Sequence, residues 1–143
     1  MAVKVEILEV NAGTVSPSQG LAGSWIYAWV TRPEGQVIYV GSTSMSPWER
    51  AHLHLHHADP EVARVAMLRP SAMCEQFLVV AVTVDDGANR TAAKFRAISL
   101  LRECDLLGPD YVGPAPVATT SSGQHIGAAS DLLRAIREVV SGL

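Results

Sequence analysis

The sequence predicts an α/β domain of the α+β type, in which a small, mainly antiparallel sheet is flanked by helices. Short runs rich in aromatic and β-branched residues, such as residues 24–31 and 36–40, are typical of strands. A longer stretch with apolar residues at helical spacing, residues 89–106, is typical of a helix. The length of 143 residues and the hydrophobic fraction of 48% suit a single domain over residues 1–143.

Three strands are predicted in the first part of the chain. An N-terminal strand over residues 3–10 alternates apolar and charged side chains, and residues 11–23, rich in glycine, serine and proline, form a predicted loop. Residues 24–31 and 36–40 then form a hairpin, because the Arg-Pro-Glu-Gly segment at 32–35 favours a reversal of the chain.

The strongest local signal is the start of a helix at Ser46. Ser46 is placed to cap the helix, Pro47 occupies its first position, and Glu49 can reach back to complete a capping box. This helix is predicted to end near His57. Asp-Pro at 59–60 starts a second, shorter helix by the same logic.

The second half of the chain predicts one strand and two helices. Residues 75–84 are almost continuously apolar, which indicates a strand buried on both faces, and a turn at 85–87 leads into the helix at 89–106. Residues 108–127 are predicted to be a long loop. Ser130 is then predicted to cap a last helix, whose apolar stripe comprises Leu132, Leu133, Ile136, Val139 and Val140.

Composition restricts the classes of function. The formal net charge of −3 is a poor electrostatic footprint for a nucleic-acid binder, although it leaves room for a local basic patch. No signal peptide or membrane-spanning segment is recognisable, so we expect a cytoplasmic protein without a membrane partner. Cys74 and Cys104 have no metal or redox spacing and are predicted to be buried free thiols.

Two short aromatic segments carry a resemblance to a known family. The segments WIY at 25–27 and YVG at 39–41 resemble the elements that name the GIY-YIG nuclease superfamily, and the next helix supplies Arg50 and, one turn later, His54. The resemblance implies a three-stranded core over about 23–106. An extra N-terminal strand would precede this core, and a C-terminal loop and helix, residues 107–143, would follow it.

The resemblance also implies a chemistry for these residues. In the family, Tyr27 and Tyr39 would be the tyrosine pair that helps to activate water, and Arg50 would neutralise charge on the phosphate. His54 would be an accessory acid or base. DNA or RNA would be the partner, and Mg²⁺ or Mn²⁺ the cofactor of an active enzyme.

The resemblance fails at the metal position. The family's metal-binding glutamate falls on Ala97, and alanine cannot bind a metal. Arg90 and Lys94 share a helical face with Ala97, so we expect phosphate contacts there in addition to those of Arg50. Glu103 lies about 120° further round this helix and cannot replace the missing acid.

Helical spacing predicts two faces for the first helix. Arg50, His54 and His57 share one face, which we expect to present polar groups, and the opposite face is expected to pack on the core. That packed face is predicted to comprise Trp48, Ala51, His52 and Leu55.

Each of these patterns also has a simpler explanation. The two tyrosines can be cross-strand packing, and Arg50 can belong to a surface ion pair. The pair His52 and His56, or the pair His54 and His57, could share a zinc ion, but two ligands are too few for a tight site. Residues 121–125 could line a pocket or form a plain loop. The last helix can pack on the core or form a dimer contact.

Three functions are therefore open. The first is a nuclease-like domain that binds a phosphate-bearing ligand, with weak or no metal-dependent cleavage because Ala97 stands at the glutamate position. The second is an active endonuclease whose acidic metal ligand comes from elsewhere in the chain, with Glu75, Asp85 and Asp86 as the available acids. The third is a non-catalytic interaction or structural module that has kept only the scaffold.

Overall fold

The protein is described by a computed structural model that covers residues 3–17, 19–85, 89–116 and 126–143. Five antiparallel strands form one sheet in the order β2-β1-β5-β3-β4. The strands are β1 (Val5–Asn11), β2 (Thr14–Val15), β3 (Trp25–Thr31), β4 (Val37–Thr43) and β5 (Gln76–Thr83). The helices are α1 (Pro47–His56), α2 (Arg64–Leu68), a short 3-10 helix (Pro70–Cys74), α3 (Arg90–Glu103) and α4 (Ile126–Ser141).

The predicted α+β class is confirmed, with an added N-terminal strand and a C-terminal helix. β3 lies between β4 and β5, and β1 extends the sheet from β5. β2 was not predicted, because its two residues lie within a stretch whose composition is typical of a loop. It pairs with the end of β1 through Val10↔Val15 and Asn11↔Thr14.

Helices cover both faces of the sheet. Alternate residues of β3 point to opposite faces, so Ile26 and Ala28 pack with the residues of α3 and α4 on what we call the α3 face. Tyr27 and Trp29 pack with the residues of α1 and α2 on the other side, the α1 face. Each face has its own apolar cluster, and the sheet separates the two clusters.

Two helix starts differ from their predictions. α4 begins at Ile126, so Ser130 lies inside the helix and does not cap it. α2 begins only at Arg64, because the residues after Asp59 form turns in which the Asp59 carboxylate accepts a hydrogen bond from the Glu61 backbone. Residues 121–125, discussed as a candidate pocket lining, lie outside the described residues, as do the last two residues of the predicted turn at 85–87.

The prediction of buried cysteines is wrong. Both thiols are free, but Cys74 is exposed and Cys104 is only partly buried. Cys74 ends the 3-10 helix at the surface, and Cys104 follows the last residue of α3, where its sulfur accepts a hydrogen bond from Arg137 at 3.1 Å. Positions at the ends of helices are close to solvent, and residue type alone does not reveal this.

Candidate functional site

The start of α1 fixes the position of two predicted site residues. As predicted, Ser46 caps the helix: its hydroxyl accepts a hydrogen bond from the backbone N–H of Glu49 at 3.2 Å, and Pro47 is the first helical residue. The Glu49 carboxylate accepts a bond from the Ser46 hydroxyl at 3.4 Å. Arg50 and His54 then follow one turn apart and face β3 and β4.

His54 does not lie on an open polar face. Its side chain is fully buried between α1 and the sheet. The rings of Tyr27, Trp29 and Tyr39 surround it edge-on, with centroid distances of 5.6, 5.8 and 4.8 Å. The prediction that this side of α1 presents polar groups is therefore wrong for His54. A histidine tolerates this burial because both of its ring nitrogens find partners.

The hydrogen bonds of His54 define its tautomer. The backbone N–H of Val65 donates to Nδ1 at 3.3 Å, so Nδ1 of the neutral ring carries no proton. Nε2 then carries the proton and donates it to the hydroxyl oxygen of Tyr27 at 2.5 Å. Burial, with a further contribution from the positive charges of Arg50 and Arg64, holds the pKa of His54 well below its usual value. The ring is therefore neutral near pH 7.

The two tyrosines are also neutral near pH 7. Burial raises the pKa of Tyr27 well above its usual value, against the opposing effect of Arg50. Burial likewise raises the pKa of Tyr39, opposed by Arg50 and Arg64. The rings are stacked with centroids 6.4 Å apart, but the tyrosines are diagonal neighbours, because Tyr27 pairs with Gly41. They are therefore in contact but are not a directly opposed cross-strand pair.

Gly41 allows Tyr27 to reach this position. A Cβ added at residue 41 would meet Cζ of Tyr27 at 2.5 Å and would lie even closer to its hydroxyl oxygen. The third residue of the YVG segment therefore makes room for the last residue of the WIY segment. This close approach is the physical reason that a glycine stands opposite the tyrosine.

Two arginines border the tyrosine pair. Nη1 of Arg50 donates to the backbone carbonyl of Val62 at 3.0 Å, and the same guanidinium interacts with the Tyr27 hydroxyl. Arg64 lies near Tyr39, where its positive charge acts to lower the pKa of the phenol, and forms a long ion pair of 3.9 Å with Glu61. Among the residues that the structure describes, no carboxylate lies within ion-pair distance of Arg50. The surface ion pair considered for Arg50 is therefore absent there.

Arg64 belongs to the site, although its sequence context gives no sign of this. It is the first residue of α2, and a short helix with no capping side chain gives no signal of where its side chains point. Only the three-dimensional fold shows that the segment after α1 brings Arg64 close to Tyr39. We call the group comprising Tyr27, Tyr39, Arg50, His54 and Arg64 the tyrosine–arginine cluster.

The structure does not bring Arg90, Lys94 and Ala97 to this cluster. Ala97 is buried in the apolar cluster of the α3 face, whereas Tyr27 belongs to the α1 face. Arg90 and Lys94 occupy the same stripe of α3 as Ala97, and the Lys94 ammonium lies 4.7 Å from the ring of Phe95. The sheet therefore lies between these two basic residues and Arg50, and their predicted phosphate contacts stay a prediction.

The cluster does not fit a magnesium or manganese ion. Both ions prefer carboxylate oxygens, and the described residues contain no group of three histidine, cysteine, aspartate or glutamate side chains able to hold a metal. Glu75, one alternative acid, is paired with Arg69 at 2.6 Å, an interaction that lowers the pKa of Glu75. Asp85 lines a separate surface cleft, and Asp86 lies outside the described residues.

The remaining histidines of α1 have structural partners. The ring of His52 stacks on Trp48, with centroids 5.1 Å apart, and lies 4.7 Å from the ring of His56. Nε2 of His56 donates to the carbonyl oxygen of Gly13 at 2.6 Å. These contacts explain the pair without a zinc ion, and no third ligand accompanies it within the described part of the chain.

A surface cleft of about 410 Å³ lies apart from the cluster. It is lined by residues from the start of β1, the segment before β3 and the end of β5, including Lys4, Glu6, Leu21, Trp25 and Asp85. None of the cluster residues lines it. The tyrosine–arginine cluster is instead filled by its own side chains, with Tyr27, Tyr39 and His54 buried and the two arginines partly exposed.

Comparisons with known proteins identify no relative. No protein-family model matches the chain, and searches of curated proteins and of solved structures return no significant match. Within the described ranges, none of the helices combines the length and the apolar character needed to cross a bilayer. A functional assignment therefore depends on the geometry of the cluster.

Proposed function

We propose that this chain is a GIY-YIG nuclease-like domain that binds a phosphate-bearing ligand, with nucleic acid as the ligand class, and has weak or no metal-dependent cleavage. One observation carries the proposal: the guanidinium groups of Arg50 and Arg64 border the buried pair Tyr27 and Tyr39. Among the described residues Arg50 has no carboxylate partner, and Arg64 has only the long ion pair of 3.9 Å with Glu61. Charge-assisted, bidentate bonds to phosphate are the characteristic use of arginine in such a setting.

The hydrogen-bond directions give Tyr27 a specific role. Because His54 donates to the Tyr27 oxygen, the hydroxyl proton of Tyr27 is not used by His54. Tyr27 is buried, so a ligand oxygen would accept this proton only after displacing the side chains that cover it. Burial keeps this phenol protonated near pH 7, so Tyr27 acts as a donor to phosphate and not as a base. The arginines would supply charge, and His54 would orient Tyr27.

The lack of an acidic metal-binding group among the described residues supports the proposal of weak or absent cleavage. A divalent ion would normally stabilise the charge on the attacked phosphate, but the described residues supply no carboxylate group for it, and Ala97 is buried on the other face of the sheet. An active endonuclease with a relocated acid would need a carboxylate at the cluster. For this reason binding without efficient turnover is our preferred function.

A second candidate, a scaffold without a ligand, is favoured by one specific contact. Arg50 already donates to the carbonyl oxygen of Val62, which ties the α1–α2 connection to α1. In that case Arg50 would stabilise the fold, and the cluster would simply be a polar part of the core. The net charge of −3 also favours this alternative over nucleic-acid binding.

Fluorescence anisotropy with short single-stranded and double-stranded oligonucleotides would separate the two candidates. We expect Arg64→Gln to weaken binding about ten-fold, since a bond to a charged group contributes about 1.5–3 kcal/mol. It should also reduce the slope of log affinity against log salt by about 1. Arg134→Gln, a matched change at an exposed arginine of α4, should leave both quantities unchanged. Equal affinities for wild type and Arg64→Gln would favour the scaffold.

Cleavage would be measured with the same oligonucleotides in Mg²⁺ or Mn²⁺. We expect no more than trace turnover from the wild-type protein. Robust cleavage that is lost in both Tyr27→Phe and Arg64→Gln would instead establish an active enzyme with an acid that the described residues do not contain.

A further inference from the structure

Among the described residues, the outer edge of β1 has no hydrogen-bonded partner over part of its length. Thr83 donates its backbone N–H to the Lys4 carbonyl, so even-numbered residues of this strand bond to β5. Glu9 instead bonds to Ser16 through both its N–H and its carbonyl oxygen, so odd-numbered residues are directed to the outer edge. β2 covers only the end of this edge, and nothing within the described residues bonds to the outward groups of Val5 and Ile7.

The same residues leave an apolar strip on the α3 face. The side chains of Val3, Val5 and Ile7 are 38%, 45% and 50% exposed. Their cross-strand neighbours in β5, Val82 and Val80, are fully buried under the helices. α3 and α4 thus cover β5 but stop short of β1, which leaves an apolar strand with unpaired backbone groups at the edge of the sheet.

We propose that this edge pairs with the same edge of a second copy of the chain, in a two-fold antiparallel contact centred on Val5. In this register Val5 faces Val5 of the second copy, and Val3 faces Ile7. All three are odd-numbered, so their outward backbone groups meet as hydrogen-bonded pairs. The contact would join two five-stranded sheets into one continuous sheet.

Charge complementarity selects this register and this partner. Centring on Val5 places Lys4 opposite Glu6 of the second copy, twice by symmetry, on the face of the strand away from the apolar strip. In the next hydrogen-bonded register the contact would be centred on Glu6, with Val5 facing Ile7. Glu6 would then face Glu6 of the second copy, and both Lys4–Glu6 attractions would be lost. The edge is therefore self-complementary in its backbone groups, in its apolar side chains and in its charges.

The register can be tested by cross-linking the full chain. In a background in which Cys74 and Cys104 are replaced by serine, Val5→Cys places two thiols across the two-fold axis. Hydrogen-bonded antiparallel residues have Cα atoms about 5.5 Å apart, within the range that a disulfide can bridge. Ile7→Cys is the matched control, because its partner would be Val3. We expect a covalent dimer from Val5→Cys under mild oxidation and little from Ile7→Cys.

Sedimentation equilibrium of the protein without added cysteines tests the charges. We expect the wild-type protein to be a dimer. Glu6→Lys should weaken the dimer about ten-fold, because a lysine at position 6 would face Lys4 of the second copy at each end of the contact. The double change Lys4→Glu/Glu6→Lys should restore the dimer, because it restores opposite charges at both ends. Circular dichroism would confirm that each variant is folded. A wild-type protein that is monomeric across the micromolar range would overturn the proposal. A dimer whose dissociation constant is the same in the wild type and in Glu6→Lys would also overturn it. Equal yields of covalent dimer from Val5→Cys and Ile7→Cys would do the same.

Discussion

At the scale of single residues, His54 connects the backbone of α2 to the hydroxyl of Tyr27. Both of its nitrogens are occupied, and the ring is buried among aromatic side chains. Protonation at Nδ1 would break the bond from Val65 and bury a charge close to Arg50. The structure therefore stabilises the neutral ring, and this preference has a measurable consequence.

We expect acid to destabilise the protein from about pH 6.5 downwards because of His54. Its folded-state pKa is lowered by burial, so its contribution is complete above the unfolded value of about 6.5 and is lost as pH falls below it. A single proton makes the slope about 1.4 kcal/mol per pH unit at most. Urea unfolding between pH 5 and 7 would measure it. His54→Gln should flatten the slope, whereas His57→Gln, at an exposed position, should keep it.

Gly41 is the second residue on which the cluster depends. A methyl group at this position would collide with the ring and hydroxyl of Tyr27, so Gly41→Ala should displace Tyr27 from His54 and cost about 1–3 kcal/mol in the free energy of unfolding. Gly127→Ala is the control, because a Cβ there meets nothing within 4 Å. In helix α4 it should be neutral or stabilising by up to about 1 kcal/mol. Similar losses in both variants would refute the proposed clash.

At the scale of elements, α1 was more predictable than α3. The Ser-Pro-x-Glu signal fixed the first residues of α1, and the cap has the expected hydrogen bond. For α3, periodicity correctly predicts a helix, but the burial of Ala97 is known only from the structure. Periodicity cannot tell which face of the sheet the helix covers, because that depends on the path of the chain after β5. For this reason the sequence could not show that Arg90 and Lys94 lie across the sheet from Arg50.

The position of Ala97 leads to a direct prediction. Ala97→Glu would place the acid that the family resemblance lacks, but on the α3 face it would bury an unpaired carboxylate. We expect a loss of about 3–5 kcal/mol in the free energy of unfolding and no gain of Mg²⁺-dependent cleavage. Thr91→Glu, at an exposed position in the first turn of α3, should be close to neutral. A folded Ala97→Glu variant that cleaves DNA would contradict the arrangement of the two faces.

At the scale of the whole molecule, local patterns predicted the fold class and four of the five strands. Aromatic and β-branched runs mark β3, β4 and β5 strongly, since such residues fit a buried sheet. β2 is too short to produce a pattern, and the start of α4 at Ile126 lies four residues before the Ser130 that resembles a cap.

The site was predictable only where its residues are close in sequence. The hairpin and α1 carry Tyr27, Tyr39, Arg50 and His54, and the structure brings these four together. Arg64 joins them through the path of a connection, and the burial of His54 depends on partners supplied by a strand and by α2. The spacing of residues in the sequence predicts neither the position of Arg64 nor the burial of His54.

The measurement that tests the central claim most directly is an NMR titration of the protein with a short single-stranded oligonucleotide. Phosphate binding at the tyrosine–arginine cluster predicts chemical-shift changes at the side-chain resonances of Arg50 and Arg64 and at Val65, with Arg90 and Lys94 unaffected. In the Arg64→Gln variant the changes at Val65 should need about ten-fold more oligonucleotide. Shifts confined to Arg90, Lys94 and their neighbours on α3, or none at any arginine, would contradict the account.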